Sequence, residues 1–116
     1  MGGAEVSPSW ERSVSMGVIC TEDNRRLTAS VSGELDHHGA KAVMEELDRR
    51  IDAALPKELT LDLSNLTFTD SSGIAVLLRA RKRMGQVQGS MRVVNTPDQA
   101  GKVFQAAGLQ RLIRFE

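Results

Sequence analysis

Between residues 27 and 115 the apolar residues switch period repeatedly, from two to about 3.6 and back, and few folds accept such a pattern. Leu27, Ala29 and Val31 alternate with Thr28, Ser30 and Ser32, the mark of a strand with one buried face. Gly33 ends that strand. From Ala40 onward Val43, Met44, Leu47, Ile51, Ala54 and Leu55 follow helical spacing, with Glu45, Glu46, Asp48, Arg49 and Arg50 mostly on the other side. Asp36 suits the N-cap, because its carboxylate can accept an otherwise unpaired backbone N–H, and Pro56 stops the helix.

The alternation then repeats. Leu59, Leu61 and Leu63 form a strand, Ser64 to Asp70 a loop, and Ile74 to Met84 a helix closed by Gly85. Met91, Val93 and Val94 give another strand. Thr96 and Pro97 read as N-cap and first helical residue, and Gly108 as the stop of a helix with Val103, Phe104 and Ala107 facing the core. Leu112 to Phe115 makes a last strand. Upstream, Met16 to Thr21 forms a first strand, and the turn at Glu22, Asp23 and Asn24 lets it pair with the second as a hairpin. The order β-β-α-β-α-β-α-β places the chain in the α/β class. The sheet is mixed and mostly parallel, with an antiparallel N-terminal strand and one layer of helices packed on it.

This topology creates a candidate site before any chemistry is named. If the second and third strands are parallel, both end at one sheet edge and each leads into a helix. Two helix N-termini then open there, headed by Asp36 and by Asp70, Ser71, Ser72 and Gly73. Ligands and functional residues gather at this kind of edge in open α/β sheets. The tetrad itself has two readings. Asp and Ser are strong N-caps, and Gly permits a tight turn or close packing. Free N–H groups and the helix dipole also favour negative charge, which makes phosphate chemistry the alternative.

Composition narrows the function classes. Fifteen basic and fifteen acidic side chains give zero net charge, whereas a nucleic-acid binder shows a basic excess. No apolar run approaches the roughly 20 residues needed to cross a bilayer. The first fifteen residues, rich in Gly and Ser, with Pro8 and a lone Trp10, lack a signal-peptide block and read as a flexible leader. The domain is expected over 16–116, and a cytoplasmic protein fits. The single cysteine, Cys20, lies in an apolar run and reads as a core or edge residue. His37 and His38 are adjacent, so on a helix they point about 100° apart and share no metal easily. They read as a solvated first turn. Arg79, Arg81, Lys82 and Arg83 read as the wet face of a helix, with contact to an acidic partner as the functional version. No phosphate-cradling glycine loop and no nucleophile elbow occurs, so an enzyme reading has little support and no cofactor or catalytic residue is assigned.

Gly33-Glu34-Leu35-Asp36-His37-His38, the segment Leu66-Thr67-Phe68-Thr69-Asp70-Ser71-Ser72-Gly73 and the closing Leu112-Ile113-Arg114-Phe115-Glu116 closely resemble sporulation-type anti-anti-sigma factors of the STAS family. The likeness runs from about Gly17 to Glu116 with nearly matching spacing. It implies a single STAS-like domain that binds an anti-sigma factor which is also a serine kinase, and so acts indirectly on a sigma factor. It further implies Ser71 as phosphoacceptor, loss of partner binding on phosphorylation, and a serine phosphatase that resets the switch. The partner surface would comprise Asp36, Asp70, Ser71, Ser72, Gly73 and Ile74. Two rivals come from the residues alone, a nucleotide- or anion-binding module and a scaffold subunit of a signalling assembly.

Overall fold

β1 (Val18–Asp23) and β2 (Arg26–Val31) pair antiparallel, with Val18 opposite Val31. They open the described part of the chain, residues 17–116 of a computed structural model. The leader expected over 1–15, with Trp10 and Met16, lies outside the described residues. Asn24 and Arg25 form the hairpin turn with φ of 54° and 65°, as the tight turn matching the strand twist requires.

β4 (Glu58–Asp62) joins β2 in parallel, β6 (Ser90–Val94) joins β4, and β7 (Arg114–Phe115) joins β6, giving the order β1-β2-β4-β6-β7. Register aligns Ala29 with Leu61, Leu61 with Val93, and Val93 with Phe115. The period-two apolar residues of successive strands therefore form continuous rows on one face. The helices cover that face. α1 (His37–Ala54) buries Ala40, Val43, Leu47 and Ile51. α2 (Ser71–Gln86) buries Val76, Leu77, Ala80 and Met84, and α3 (Asp98–Ala106) buries Ala100 and Phe104. Phe104 stacks on Phe115 with ring centroids 6.0 Å apart. On the opposite face Thr28, Ser30 and Thr60 are half-buried, and Arg92 reaches across to donate to Thr60 Oγ1 at 3.1 Å.

The expected α/β class, mixed sheet and hairpin stand, and the structure corrects several details. Residues 64–70 are not all loop: β5 (Leu66–Thr69) pairs in parallel with β3 (Gly33–Leu35) as a separate two-stranded sheet. Gly33 does interrupt the second strand, with φ +81°, but the chain resumes at once as β3. Both segments are too short for periodicity to show them. Gly85 lies inside α2, and the chain leaves the helix at Gln88, with φ 60°. Gly89 is the glycine with a packing reason, since a Cβ there would lie 2.9 Å from the carbonyl oxygens of both Pro56 and Lys57. Pro97, not Thr96, is the N-cap of α3, without a side-chain cap bond. Leu109–Arg111 forms a 3-10 turn, which leaves only Arg114 and Phe115 for the last strand.

One charged side chain on α1 is buried. Glu46 is 5% exposed and pairs with Arg49 and, at 2.9 Å, with Arg50. Burial works against its charge, but hydrogen bonds from Arg50 and Arg49 outweigh it and hold the pKa below the usual 4.5. A carboxyl with a depressed folded-state pKa stabilises the fold above its unfolded pKa and loses that contribution as pH falls through the folded value. Glu46→Gln should therefore cost about 1 kcal/mol at pH 7, the difference between a charge-assisted and a neutral hydrogen bond. In thermal melts the gap from wild type should close as pH drops below the ordinary glutamate range. A gap that persists unchanged at low pH would show that the cost is packing.

Candidate functional site

α1 and α2 begin side by side because the strands that lead into them do. β3 and β5 are in register at their ends, with Leu35 opposite Thr69. The next residues, Asp36 and Asp70, thus occupy equivalent places on neighbouring parallel strands, roughly 5 Å apart along the backbone. Both are extended N-caps. Asp36 Oδ1 accepts from Gly39 N at 2.8 Å, and Asp70 Oδ1 accepts from Ser72 N at 2.7 Å. The Gly39 N–H is the main reason that the Asp36 carboxyl is held below the usual aspartate range.

Thr69 joins three elements at this point. It is fully buried, and its single hydroxyl proton faces two carbonyls, Asp70 O at 3.0 Å and Leu35 O of β3 at 3.3 Å. Its N–H donates to Gln99 Oε1 at 3.0 Å, and its carbonyl accepts from Gln99 Nε2 at 2.9 Å, tying β5 to α3. The same hydroxyl holds the first turn of α2 close: a Cβ on Gly73 would lie 2.1 Å from Thr69 Oγ1 and 3.3 Å from Leu35 Cδ2. Gly39 does the same for α1, where a Cβ would lie 2.9 Å from the Glu34 carbonyl oxygen.

These contacts sort the residues read from the sequence. Ser71 is exposed as the first residue of α2, and its hydroxyl makes no hydrogen bond among the described residues. Ser72 is half-buried, with its N–H on Asp70. Gly73 is buried and serves packing, and Ile74 is half-buried against the core. His37 and His38 are exposed on the first turn of α1. An open groove of about 320 Å³ runs between the two helices, lined by His37, Ala40, Lys41, Met44, Ser72 and Ala75. Ser71, Ala75, Leu78 and Lys82 are all exposed and lie at helical spacing along one side of α2. Phe68, two residues before the cap, is 42% exposed.

Much of the basic stretch on α2 is engaged within the chain. Arg79 binds Asp48 of α1 through two nitrogens, the shorter contact at 2.6 Å, and Arg83 pairs with Asp48 and Asp52. Arg81 donates to Leu112 O at 3.1 Å. Sequence reasoning missed Thr69 and Gln99. A threonine four residues before a glycine hints at a tight strand-to-helix contact, but nothing local marks Gln99, thirty positions away.

The chain matches the STAS domain family over residues 18–116. An anti-sigma F factor antagonist of Paenibacillus polymyxa is 33% identical over 87 residues, covering 75% of this chain and 74% of its own. Two solved structures share the fold. One is an anti-sigma factor antagonist from Mycobacterium paratuberculosis, with TM-score 0.75 and 24% identity over 84% of this chain and 82% of that one. The other is the phosphorylated form of the Bacillus cell fate determinant SpoIIAA, with TM-score 0.68 and 24% identity over 86% of this chain and 91% of that one.

The two glycines of α2 should respond to alanine with opposite signs. Gly73→Ala forces a methyl into Thr69 and should cost about 1–3 kcal/mol, as overpacking does. Gly85→Ala meets nothing within 4 Å and should stabilise by about 0.5–1 kcal/mol, since it removes chain freedom from a helix interior. Urea melts of the two variants read both signs. A neutral Gly73→Ala would mean that α2 can lift away from β5 without penalty.

Proposed function

We propose that this chain, which belongs to the STAS domain family, is an anti-sigma factor antagonist of the sporulation type. Its unphosphorylated form binds a kinase-type anti-sigma factor and so releases a sigma factor. Phosphorylation of Ser71 ends that binding, and a serine phosphatase restores it. The setting would be the cytoplasm, where such partners work. No helix among the described residues is long and apolar enough to cross a membrane.

The observation that carries the reading is the state of Ser71. Ser71 is exposed and its hydroxyl unengaged among the described residues, next in the chain to Ser72, which lines the groove and whose N–H is committed to the cap. The hydroxyl is therefore free for transfer chemistry that the partner catalyses, with base and nucleotide on the kinase. The Ser71–Ala75–Leu78 side of α2, the groove and Phe68 supply an apolar surface beside it for docking. A phosphate there adds about −1.5 to −2 charges next to the carboxylates of Asp36 and Asp70. The helix N-terminus tolerates that charge, so the damage falls on the docked partner, by bulk and repulsion.

The same carboxylates argue against an anion- or nucleotide-binding module. Asp70 takes the Ser72 N–H and Asp36 takes the Gly39 N–H. One N–H donor at each helix start, which a phosphate would need, is thus taken by a carboxylate of the chain itself.

Incubation with the cognate kinase and ATP, followed by mass spectrometry, should put phosphate on Ser71. Phosphate confined to Ser72, whose N–H is tied into the cap, would defeat the assignment. Ser71→Asp should abolish partner binding in calorimetry while its thermal midpoint stays within a few degrees of wild type. Cooperative loss of the fold in that variant would make the switch conformational.

Asp36→Asn separates capping from recognition, because asparagine caps about as well as aspartate. If the carboxylate meets a basic group of the partner, affinity should fall by roughly tenfold or more with the melt nearly unchanged. Unchanged affinity would leave Asp36 as a cap alone.

A further inference from the structure

Among the described residues β5 has a strand neighbour on one side only, β3. On its other side the side chain of Gln99 takes the place of a strand. A primary amide carries one acceptor and one donor group on a planar unit, as a peptide does. The Gln99 carboxamide uses both against the N–H and C=O of Thr69, at 3.0 and 2.9 Å. In a parallel ladder both backbone groups of one residue point to the same side. The Leu35 carbonyl meets the following N–H, that of Asp70, on the β3 side at 3.5 Å. Gln99 thus closes the edge that β3 leaves open.

The position of this closure matters. The Thr69 carbonyl belongs to the peptide unit that enters Asp70, the N-cap, and Ser71 follows directly. The Thr69 N–H belongs to the preceding peptide unit, so the one carboxamide grips the backbone on both sides of the Thr69 Cα. The long Asp70 N–H contact to Leu35 restrains the segment weakly, so the amide pair is the tighter hold on the backbone just before the cap. Gln99 sits in the first turn of α3, and none of the residues lining the groove belongs to α3. Its hydrogen bonds to the site run to Thr69.

We infer that Gln99 is a positioning residue for Ser71: its carboxamide holds the Thr69–Asp70 peptide, sets the cap of α2, and presents the Ser71 hydroxyl to the partner in one orientation. This rests on Ser71 being the phosphoacceptor. It makes α3 part of the switch, since a displacement of α3 reaches Ser71 through two hydrogen bonds. A residue that only tied α3 down would alter stability and leave phosphotransfer to the folded protein untouched.

Two variants test it. Gln99→Met keeps the length and loses both hydrogen bonds. Gln99→Glu sets a charged oxygen against the Thr69 carbonyl when ionised, but a protonated carboxyl again offers one acceptor and one donor. Each is studied well below its own melting midpoint. The readouts are amide NMR signals and hydrogen exchange at Thr69, Ser71 and Ser72, and the kinetics of phosphotransfer to Ser71 by the cognate kinase. Gln99→Met should shift the Ser71 and Ser72 amide signals, speed exchange at Thr69, and lower kcat for phosphotransfer by about tenfold with less change in KM, the signature of a misplaced acceptor. Gln99→Glu should match it at pH 8 and regain the Ser71 and Ser72 signals of wild type at the same pH as pH is lowered through the ordinary glutamate range, about 4.3. If Gln99→Met is too unstable to study, this pH-dependent recovery in Gln99→Glu decides alone. A folded Gln99→Met with unchanged amide signals and unchanged kcat overturns the inference, as does Gln99→Glu that shows no recovery. Absence of phosphate on wild-type Ser71 overturns the functional reading, a result distinct from unchanged amide signals, which overturn the brace itself.

Discussion

How closely the first turn of α2 can sit on the end of β5 decides the geometry of the whole edge. The approach exists only because residue 73 has no side chain: a Cβ there would lie 2.1 Å from Thr69 Oγ1. With the turn seated, Thr69 is fully buried and its hydroxyl reaches the last carbonyl of β3. β3 and β5 pair with Leu35 opposite Thr69, and that register puts the Asp36 and Asp70 caps next to one another. Two helix N-termini and a groove between them follow from one glycine against one threonine. Interiors are packed too densely for such a contact to loosen gradually, so the site is held rigid although it lies at the surface.

Electrostatics gives this rigid edge its sense of direction. Helix N-termini attract negative charge, and here the chain's own carboxylates meet that demand through the Gly39 and Ser72 N–H groups. The fold is thereby complete without a bound anion, and Ser71 is left over, exposed and outside the caps. A negative charge placed at Ser71 would lie where the helix dipole stabilises it, beside the carboxylates of Asp36 and Asp70.

The far halves of the same helices are tied by charge in a different way. Arg79 and Arg83 of α2 pair with Asp48 and Asp52 of α1, so the arginine side of α2 faces its neighbour helix. Lys82 lies on the exposed side, in line with Ser71, Ala75 and Leu78. The basic stretch therefore divides three ways: Arg79 and Arg83 brace α1, Arg81 holds the Leu112 carbonyl, and Lys82 lies beside the apolar strip. Arg79 shows the brace in its own chemistry: the hydrogen-bonded Asp48 carboxylate raises its pKa above the usual arginine value.

The alternation of Leu27, Ala29 and Val31, the helical run from Val43 to Ile51 and the next alternation at Leu59, Leu61 and Leu63 sufficed to read the α/β class, the hairpin and the mixed sheet. Burial with a fixed period is a local property, and each of these segments is long enough to display it. Asp36 and Asp70 were legible as caps because capping joins residues two or three apart, as Asp36 with Gly39 and Asp70 with Ser72 do. β3 and β5 were not legible, since three or four residues carry no period and their pairing joins positions some thirty apart. The division of the arginines between brace and surface, and the hold of Gln99 on Thr69, likewise belong to the tertiary structure. They depend on which side of a helix meets which neighbour, and that is decided only when distant segments pack together.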